Sequence, residues 1–399
     1  MARPILLLNC GSSSIKYQMI DADTEEVLAV GLIQKVGDTA GGTLDHEVGG
    51  EEFHYEAVYA DHTEGLKAVV AAFAEHGPSL EPVIAVAHRT VHGGRMFQKT
   101  TLVNDAMVTK LKELYGLAPL HNPPGVAGIE AARAALPDVP HVAVFDTAFF
   151  ANLPEEATTY AIKHEVADAL NIRKYGFHGT SHSFVSKRAA EFLGRDLGEL
   201  KQIVLHLGNG ASVSAIDGGR PIETSMGLTP LQGLVMGTRS GDVDPGLFAY
   251  LQRKYGWDVD QTDAFLNKQS GMLGLTGKTD MRDVLALVEA GDHHAILGRN
   301  VYVHRLVSYI GSYTALLGGL DALVFTAGVG ENAAWVRAAV LERLAPFGIV
   351  IDEAANQVRS KEPRAITSPE SKVTVLVVPT NEELAMARET LALLEGSQA

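Results

Sequence analysis

Residues 5–8, an apolar run near the start of the chain, empty into Asn9-Cys10-Gly11-Ser12-Ser13-Ser14-Ile15-Lys16. Glycine lets the backbone approach a ligand closely, hydroxyls donate hydrogen bonds, and a lysine adds positive charge. The stretch suits a phosphate group, although a polar hairpin with a solvated lysine has the same composition. A second turn of this kind, Gly208-Asn209-Gly210-Ala211-Ser212, follows another apolar run at 202–207. Two such turns, at equivalent points of two halves, could clamp a polyphosphate from both sides.

Other candidates stand at the ends of apolar runs. Arg89 lies in His88-Arg89-Thr90-Val91-His92-Gly93-Gly94, behind residues 83–87. Its planar fork suits a carboxylate or a phosphate, a surface salt bridge being the alternative. Asp146 ends the run 141–145, where a carboxylate can serve magnesium or a proton, or merely cap a helix. His178, Thr180 and Ser181 open a helix running to about Gly194, and free amides at a helix start favour an anion. His88 and His92, like His178 and His182, are four apart. The HExxH glutamate and a third ligand are missing, so metal binding by these pairs is not expected.

Arg239 is the isolated cation of a long Gly- and Pro-interrupted stretch, 226–246, whose apolar content argues against disorder. Asp242 and Asp244 in that stretch fail the EF-hand pattern and read as turn residues. Two decoys are rejected. The segment 271–280, GMLGLTGKTD, has five residues between Gly271 and Gly277 where a phosphate-binding P-loop has four, and no strand precedes it. Gly328-Val329-Gly330-Glu331-Asn332 lacks the third glycine of a dinucleotide fingerprint, since Ala333 stands there.

The elements that must position these residues repeat. Runs at 5–8, 83–87 and 141–145 each lead into a candidate loop, and runs at 202–207, 322–326 and 373–378 do the same in the second half. The first unit of each half resumes as a strand ending in Ile-Asp, at 17–21 and 213–217. Helices are expected at 104–115, at 122–136 behind an Asn122 cap and Pro123, and at 382–395. Residues 301–317 look apolar nearly all round, and the pattern predicts burial in the core or in a subunit interface. Continuous apolar strands favour α/β layering with helices on both sheet faces. At 399 residues two domains are the natural expectation, divided near Ala151, with a ligand cleft between them.

The formal charge of −15 disfavours nucleic acid and anionic membranes as partners. The single Cys10 excludes an intrachain disulfide, and no leader or spanning segment is evident, so a cytoplasmic enzyme is expected.

In this order and spacing, NCGSSSIK, HRTVHGG, FDTAFF, GFHGTSH, HLGNGAS, AGVGEN and TNEEL resemble the acetate kinase (acetokinase) family over essentially the whole chain. The family has the actin/Hsp70/sugar-kinase architecture. The resemblance therefore implies two duplicated ribonuclease-H-like (actin-like ATPase) α/β domains with a nucleotide cleft between them. Their expected extents are 1–150, with a carboxyl-terminal helix 383–399 packing back on it, and a nucleotide-binding domain at 151–382. It implies reversible transfer of a phosphoryl group from ATP to acetate, giving acetyl phosphate and ADP, with Mg2+ or Mn2+ and in a homodimer. By family match Arg89 and Arg239 hold the carboxylate and the moving phosphoryl, which His178 and Asn209 contact. Asp146 and Glu382 serve the metal, with Asn9 beside them. Ser12, Ser14, Lys16, His206, Gly208 and Gly210 surround the phosphates together with Asn9. Asp280, Arg282, Gly328, Gly330 and Asn332 match adenosine-side positions. Val91, Leu120 and Pro230 match the pocket for the acetate methyl, with His121 beside it. Ala87 departs from the family's usual glycine, and the segment before Asp280 is one residue short.

Acetate is ionised at neutral pH, so no strong base is needed, and transfer in line without a phosphoenzyme is expected. The rival readings are a propionate or butyrate kinase, a sugar kinase, and a nucleotide-switched binding protein like actin or Hsp70. A sugar pocket would carry Asn, Asp and Glu for hydroxyls, and a switch protein needs no arginines at the γ-phosphate. A dehydrogenase is disfavoured by the absent fingerprint.

Overall fold

The computed structural model describes residues 2–119 and 121–396. Leu120 and residues 397–399, the end of the expected terminal helix, lie outside the described residues. The chain divides into two compact units, Met1–Ala151 with Asn381–Ala399, and Asn152–Thr380.

The first unit is built on strands β1 (Pro4–Cys10), β2 (Ser14–Asp21), β3 (Val27–Gln34), β4 (Gly42–Val48), β5 (Glu51–Ala57), β6 (Ala85–Thr90), β7 (Thr101–Leu102) and β8 (His141–Phe145). They form one sheet in the order β5-β4-β3-β2-β1-β6-β8-β7. Successive side chains of a strand point to opposite faces, and β1 uses both. Leu6 and Leu8 pack with Phe73 and Ala131 of the helices His62–His76 and Asn122–Ala135. Ile5 and Leu7 pack on the other face with Met386 and Ala387 of the helix Glu382–Gly396. Helices on both faces explain why β1 is apolar without alternation. Each such buried Leu or Ile is worth about 1.5–3 kcal/mol over its exposed state.

The second unit carries β9 (Lys201–Leu207), β10 (Ala211–Asp217), β11 (Arg220–Thr224), β12 (Ala322–Thr326), β13 (Arg364–Ala365) and β14 (Thr374–Val377), ordered β11-β10-β9-β12-β14-β13. The meander β1-β2-β3 is antiparallel, and β6 and β8 then add in parallel beside β1. The meander β9-β10-β11 is likewise antiparallel, with β12 and β14 added in parallel beside β9. The same five-strand plan therefore occurs twice, with low residue identity between the copies. This is the duplicated α/β architecture expected from the apolar runs.

Several local expectations are corrected. β6 runs over Ala85–Thr90 rather than 83–87, because pairing with β8 continues to Thr90, so Arg89 belongs to the strand. Ala87 accordingly lies in the strand, facing the carboxyl-terminal helix, and shapes no turn. Asn122 does not cap its helix. His121 stands at the cap, and the Asn122 amide clasps the backbone of His92 instead, accepting from its N–H at 3.2 Å and donating to its carbonyl at 3.0 Å. AGVGEN is a short helix, Ala327–Asn332, rather than a loop. The 301–317 stretch belongs to the helix His293–Leu317, which buries Tyr302, Leu306, Ile310, Tyr313 and Leu317 along one stripe while Leu316 is 57% exposed. Its burial is one-sided.

A buried histidine pair makes the first unit's stability depend on pH. His88 on β6 and His141 on β8 approach at 2.9 Å (Nε2 to Nδ1), and His141 Nε2 meets the Leu136 carbonyl at 3.0 Å. A carbonyl only accepts, so His141 donates through Nε2, accepts at Nδ1, and His88 donates to it. Both rings are neutral, since burial holds their pKa values below the usual 6.5, that of His88 well below. The unfolded chain binds protons near pH 6.5 that the folded chain refuses. This contribution to stability is therefore complete above about pH 6.5 and declines as the pH falls toward the folded values, by up to about 1.4 kcal/mol per pH unit for each histidine. Urea unfolding midpoints should drop between pH 7.5 and 5.5, and His88→Gln should flatten that slope; an unchanged slope in the variant would refute the assignment.

Candidate active site

In the first unit the site residues sit where the parallel strands end. Asp146 directly follows β8, and Arg89 lies one residue before the end of β6. The guanidinium grips the carboxylate in a two-point fork, Nε to Oδ1 at 3.0 Å and Nη2 to Oδ2 at 2.9 Å. Glu382, the first residue of the carboxyl-terminal helix, brings Oε2 to 3.5 Å from the same Nη2. Arg89 Nη1 has no hydrogen bond among the described residues. Asp146 and Glu382 push the Arg89 guanidinium further up its range. Burial pushes the Asp146 carboxyl up, and Arg89 and the nearby His121 pull against that. The turn behind Arg89 is tight for a reason: a Cβ on Gly93 would sit 2.4 Å from the Phe97 carbonyl oxygen, and Gly94 has φ +58° with Leu114 against it. Val91, half-buried, opens this turn.

The β1–β2 turn is closed by the Gly11 N–H on the Ser14 carbonyl at 2.9 Å and braced by His62 on the Gly11 carbonyl at 2.8 Å. Ser12 is exposed and Ser14 half-buried, and Asn9 pairs in register with Lys16. Lys16 forms an ion pair with Glu383 in the first turn of the carboxyl-terminal helix. Burial works against the Glu383 charge, but Lys16 holds its carboxyl below the usual range. Lys16 is therefore committed to a protein partner.

The second unit gathers a histidine and serine network at the equivalent place. His178 precedes the helix Gly179–Leu193 in the left-handed region, φ 59°, a conformation uncommon outside glycine. His178 Nδ1 lies 2.9 Å from Ser212 Oγ, and the ring stacks on His206 at 4.3 Å. His206 Nδ1 in turn lies 2.8 Å from Ser181 Oγ. His182 bridges Ser212 and Ser214 and is neutral, burial driving its pKa well down. The second glycine turn closes through the Gly208 N–H on the Gly210 carbonyl at 3.0 Å. A Cβ on Gly210 would lie 3.4 Å from both His178 Nε2 and Arg239 Nη1, so the three groups converge there.

Arg239 differs from Arg89 in its company. Its Nη1 donates to the Pro230 carbonyl at 3.1 Å, and no carboxylate among the described residues lies within 4.0 Å. Burial alone lowers its pKa. A half-buried guanidinium without a counter-charge is unfavourable, and an anion placed beside it reduces the deficit. The rejected P-loop segment holds the Arg239 loop in place: the N–H groups of Ser270, Met272 and Leu273 donate to the carbonyls of Thr238, Met236 and Gly237. Gly271 allows this contact, with φ +60° and room for no Cβ, which would fall 2.3 Å from the Met236 oxygen. Asp242 is a structural turn residue, accepting from Gly233 N–H and Tyr309 OH. Asn209 lies over Gly237 and accepts its N–H at the main chain.

A cavity of about 530 Å³ opens beside this turn, within the usual size of a small-ligand site. Its wall includes Gly208, Asn209, Asp280, Arg282, Gly328 and Asn332, all named from the sequence. Asp280 caps the helix Met281–Glu289 and holds the Arg282 guanidinium at 3.0 Å, which lowers its own pKa to about 2. Gly330 does not line the cavity; it is the close-packing point of its helix against Phe325 and Leu205. Arg359, Val329 and Met281 line the wall and were not anticipated. Arg359 stands in a charged surface-like segment, QVRSKEPR, that carries no recognisable signal.

The oxygen donors available near Arg89 fit magnesium in kind. Two carboxylates, Asp146 and Glu382, suit an ion that keeps waters and arrives with phosphate rather than one held in a protein cage. No cluster of three His, Cys, Asp or Glu able to hold a metal occurs among the described residues.

The acetokinase family model matches residues 4–388. The acetate kinase of Clavibacter michiganensis subsp. michiganensis is 54% identical over 394 residues, covering 98% of this chain and 99% of that protein. The crystal structure of Porphyromonas gingivalis acetate kinase superposes with a TM-score of 0.93 at 40% identity, covering 98% of this chain and 100% of its own. A propionate kinase from Francisella tularensis gives 0.92 at 42% identity, with 97% and 98% covered. With the family model matched from the first strand into the last helix, and a relative this similar over its full length, the chain belongs to the acetokinase family.

Proposed function

We propose that the chain catalyses reversible transfer of the ATP γ-phosphoryl to acetate, giving acetyl phosphate and ADP. Within the family assignment, the observation that carries the reading is Arg239, a half-buried cation with no carboxylate partner among the described residues, converging with His178 on the Gly210 turn. A carboxylate oxygen of acetate attacks the γ-phosphorus as the bond to the β,γ-bridging oxygen breaks, and ADP leaves with that electron pair. Acetate is ionised at neutral pH, so no base is required. Catalysis then rests on positioning and charge. Arg239, His178 and Asn209 take the phosphoryl oxygens; Arg89, through its unengaged Nη1, takes the acetate carboxylate. The first-unit turn, Asn9, Ser12 and Ser14, serves the phosphates, as do His206, Gly208 and Gly210. Val91 and Pro230 contact the methyl group.

The cavity beside Asn209 receives the nucleoside, with Asp280, Arg282, Gly328 and Asn332 along it. Lys16 acts at a distance, through the field near the phosphates, because Glu383 already holds it. Asp146, Glu382 and Asn9 would hold Mg2+, which when bound with the nucleotide supplies neutralising charge to the phosphate oxygens. The working unit is a homodimer, and the setting is cytoplasmic. No helix among the described residues is long and apolar enough to cross a membrane.

Incubation with ATP, Mg2+ and acetate, followed by hydroxylamine trapping, should yield acetohydroxamate. ATP hydrolysis without hydroxamate, stimulated by a protein partner, would instead favour a nucleotide switch. Arg89→Ala and Arg239→Ala should each lower kcat by at least about 10²-fold, the scale of losing one charge-stabilising donor, with ADP affinity held within a few-fold. Loss of ADP binding in either variant would contradict the roles given.

The similarity to a propionate kinase supports a second reading, in which the three-carbon acid is the better substrate. One methylene is worth about 1–3 kcal/mol in an apolar pocket, so kcat/KM should favour acetate over propionate by roughly 10- to 200-fold. An equal or reversed ratio would make the chain a propionate kinase.

A further inference from the structure

Arg337, on the helix Ala334–Leu344, is 1% exposed, and no carboxylate among the described residues pairs with it. Its guanidinium instead joins two separate segments. Nη1 donates to the carbonyls of Gly330 and Glu331, each at 2.9 Å. Nε donates to Asn356 Oδ1 at 2.8 Å, and Nη2 to the Asn356 carbonyl at 2.6 Å. Asn356, fully buried, returns a hydrogen bond from Nδ2 to the Ala334 carbonyl at 3.0 Å. Burial, together with the nearby Arg364 charge, lowers the Arg337 pKa to about 10. An apolar side chain of similar size would be less unfavourable here. What an apolar residue cannot supply is direction: five hydrogen bonds set one segment in register against another.

The two segments are opposite contributors to one wall. The helix Ala327–Asn332 brings Gly328, Val329 and Asn332 to the 530 Å³ cavity. The helix Glu353–Gln357, which contains Asn356, leads two residues later to Arg359 on the same cavity. The other charged groups of that wall, Asp280 and Arg282, neutralise each other. Arg359 has no ion pair among the described residues, so it is the wall's uncompensated charge.

We propose that Arg337 and Asn356 are positioning residues for the nucleotide, and that their clasp delivers Arg359 as an additional nucleotide contact. The inference rests on the reading of this cavity as the nucleotide site. It implies that breaking the clasp weakens nucleotide binding while leaving the acetate side and the chemical step in place.

Steady-state kinetics and ADP–Mg2+ titration calorimetry on the full chain test this with Arg337→Lys, Asn356→Ala and Arg359→Ala. The first two should raise KM for ATP about 10-fold, with kcat and KM for acetate within about 2-fold. Arg359→Ala, at an exposed position, should raise KM for ATP about 3- to 10-fold without lowering Tm. If Arg337→Lys does not fold, the other two variants decide. Unchanged ATP KM in Asn356→Ala and Arg359→Ala overturns the inference, as does a parallel loss of kcat and of acetate affinity, the mark of a merely structural role. Wild-type protein that fails to bind ADP overturns the nucleotide reading and this inference with it. Wild-type binding with unaltered variants overturns this inference alone.

Discussion

A guanidinium drawn partly out of water needs an anion, and Arg89, near the end of β6, and Arg239, in the loop that follows β11, meet that need in different ways. Arg89 is forked onto Asp146 and has Glu382 nearby, so its charge is largely satisfied by the protein. Among the described residues, Arg239 donates hydrogen bonds only to a carbonyl and a thioether. Its loop stays folded because backbone hydrogen bonds from 270–273 hold it, with Gly271 as the point of closest approach. The cost of partial burial is thus offset structurally, and in the proposed function the missing counter-charge comes from a ligand. A phosphoryl group losing its bond to ADP is such an anion, and preorganised positive charge is worth more in a dehydrated site than in water.

The duplicated sheet explains why both halves carry comparable chemistry. In each, an antiparallel meander is extended by two parallel strands, and the turn between the first two strands falls at the same topological point. The Gly11–Ser13 turn and the Gly208–Gly210 turn are its two instances. Both parallel strands then end in a candidate site residue or lead into one, as ligands tend to be bound beyond the carboxyl ends of such strands. The copies have diverged in charge: the first holds a cation with carboxylates, and the second a cation with histidines and serines.

Legibility followed physical signal. The central strands announced themselves as apolar runs because helices cover both faces, and Arg89, Asp146 and Gly208 were found because they follow such runs, whereas His206 was named only through the family resemblance. The outer strands β3 to β5 were missed: β5, EEFHYEA, is polar on one face, and its pairing is decided by neighbours rather than by its own composition. Asn122 was misread because a helix-start asparagine looks like a cap whether or not it is one. Its use, clasping His92, depends on a contact thirty residues away in sequence. The 301–317 stretch looked apolar nearly all round because exposed Leu316 cannot be told from a buried leucine by type alone. Arg337 and Arg359 gave no signal at all, since arginine on a helix or in a charged loop ordinarily belongs to the surface. Leu120 and the last three residues lie outside what the structure describes.

The central claim is that acetate itself attacks the γ-phosphorus, with the arginines and His178 supplying charge and position and no side chain carrying the phosphoryl. Transfer from ATP made chiral at the γ-phosphoryl with oxygen and sulfur isotopes reads this directly. A single displacement predicts inversion of configuration in the acetyl phosphate formed. Retention would require two displacements through a phosphorylated residue and would contradict the account.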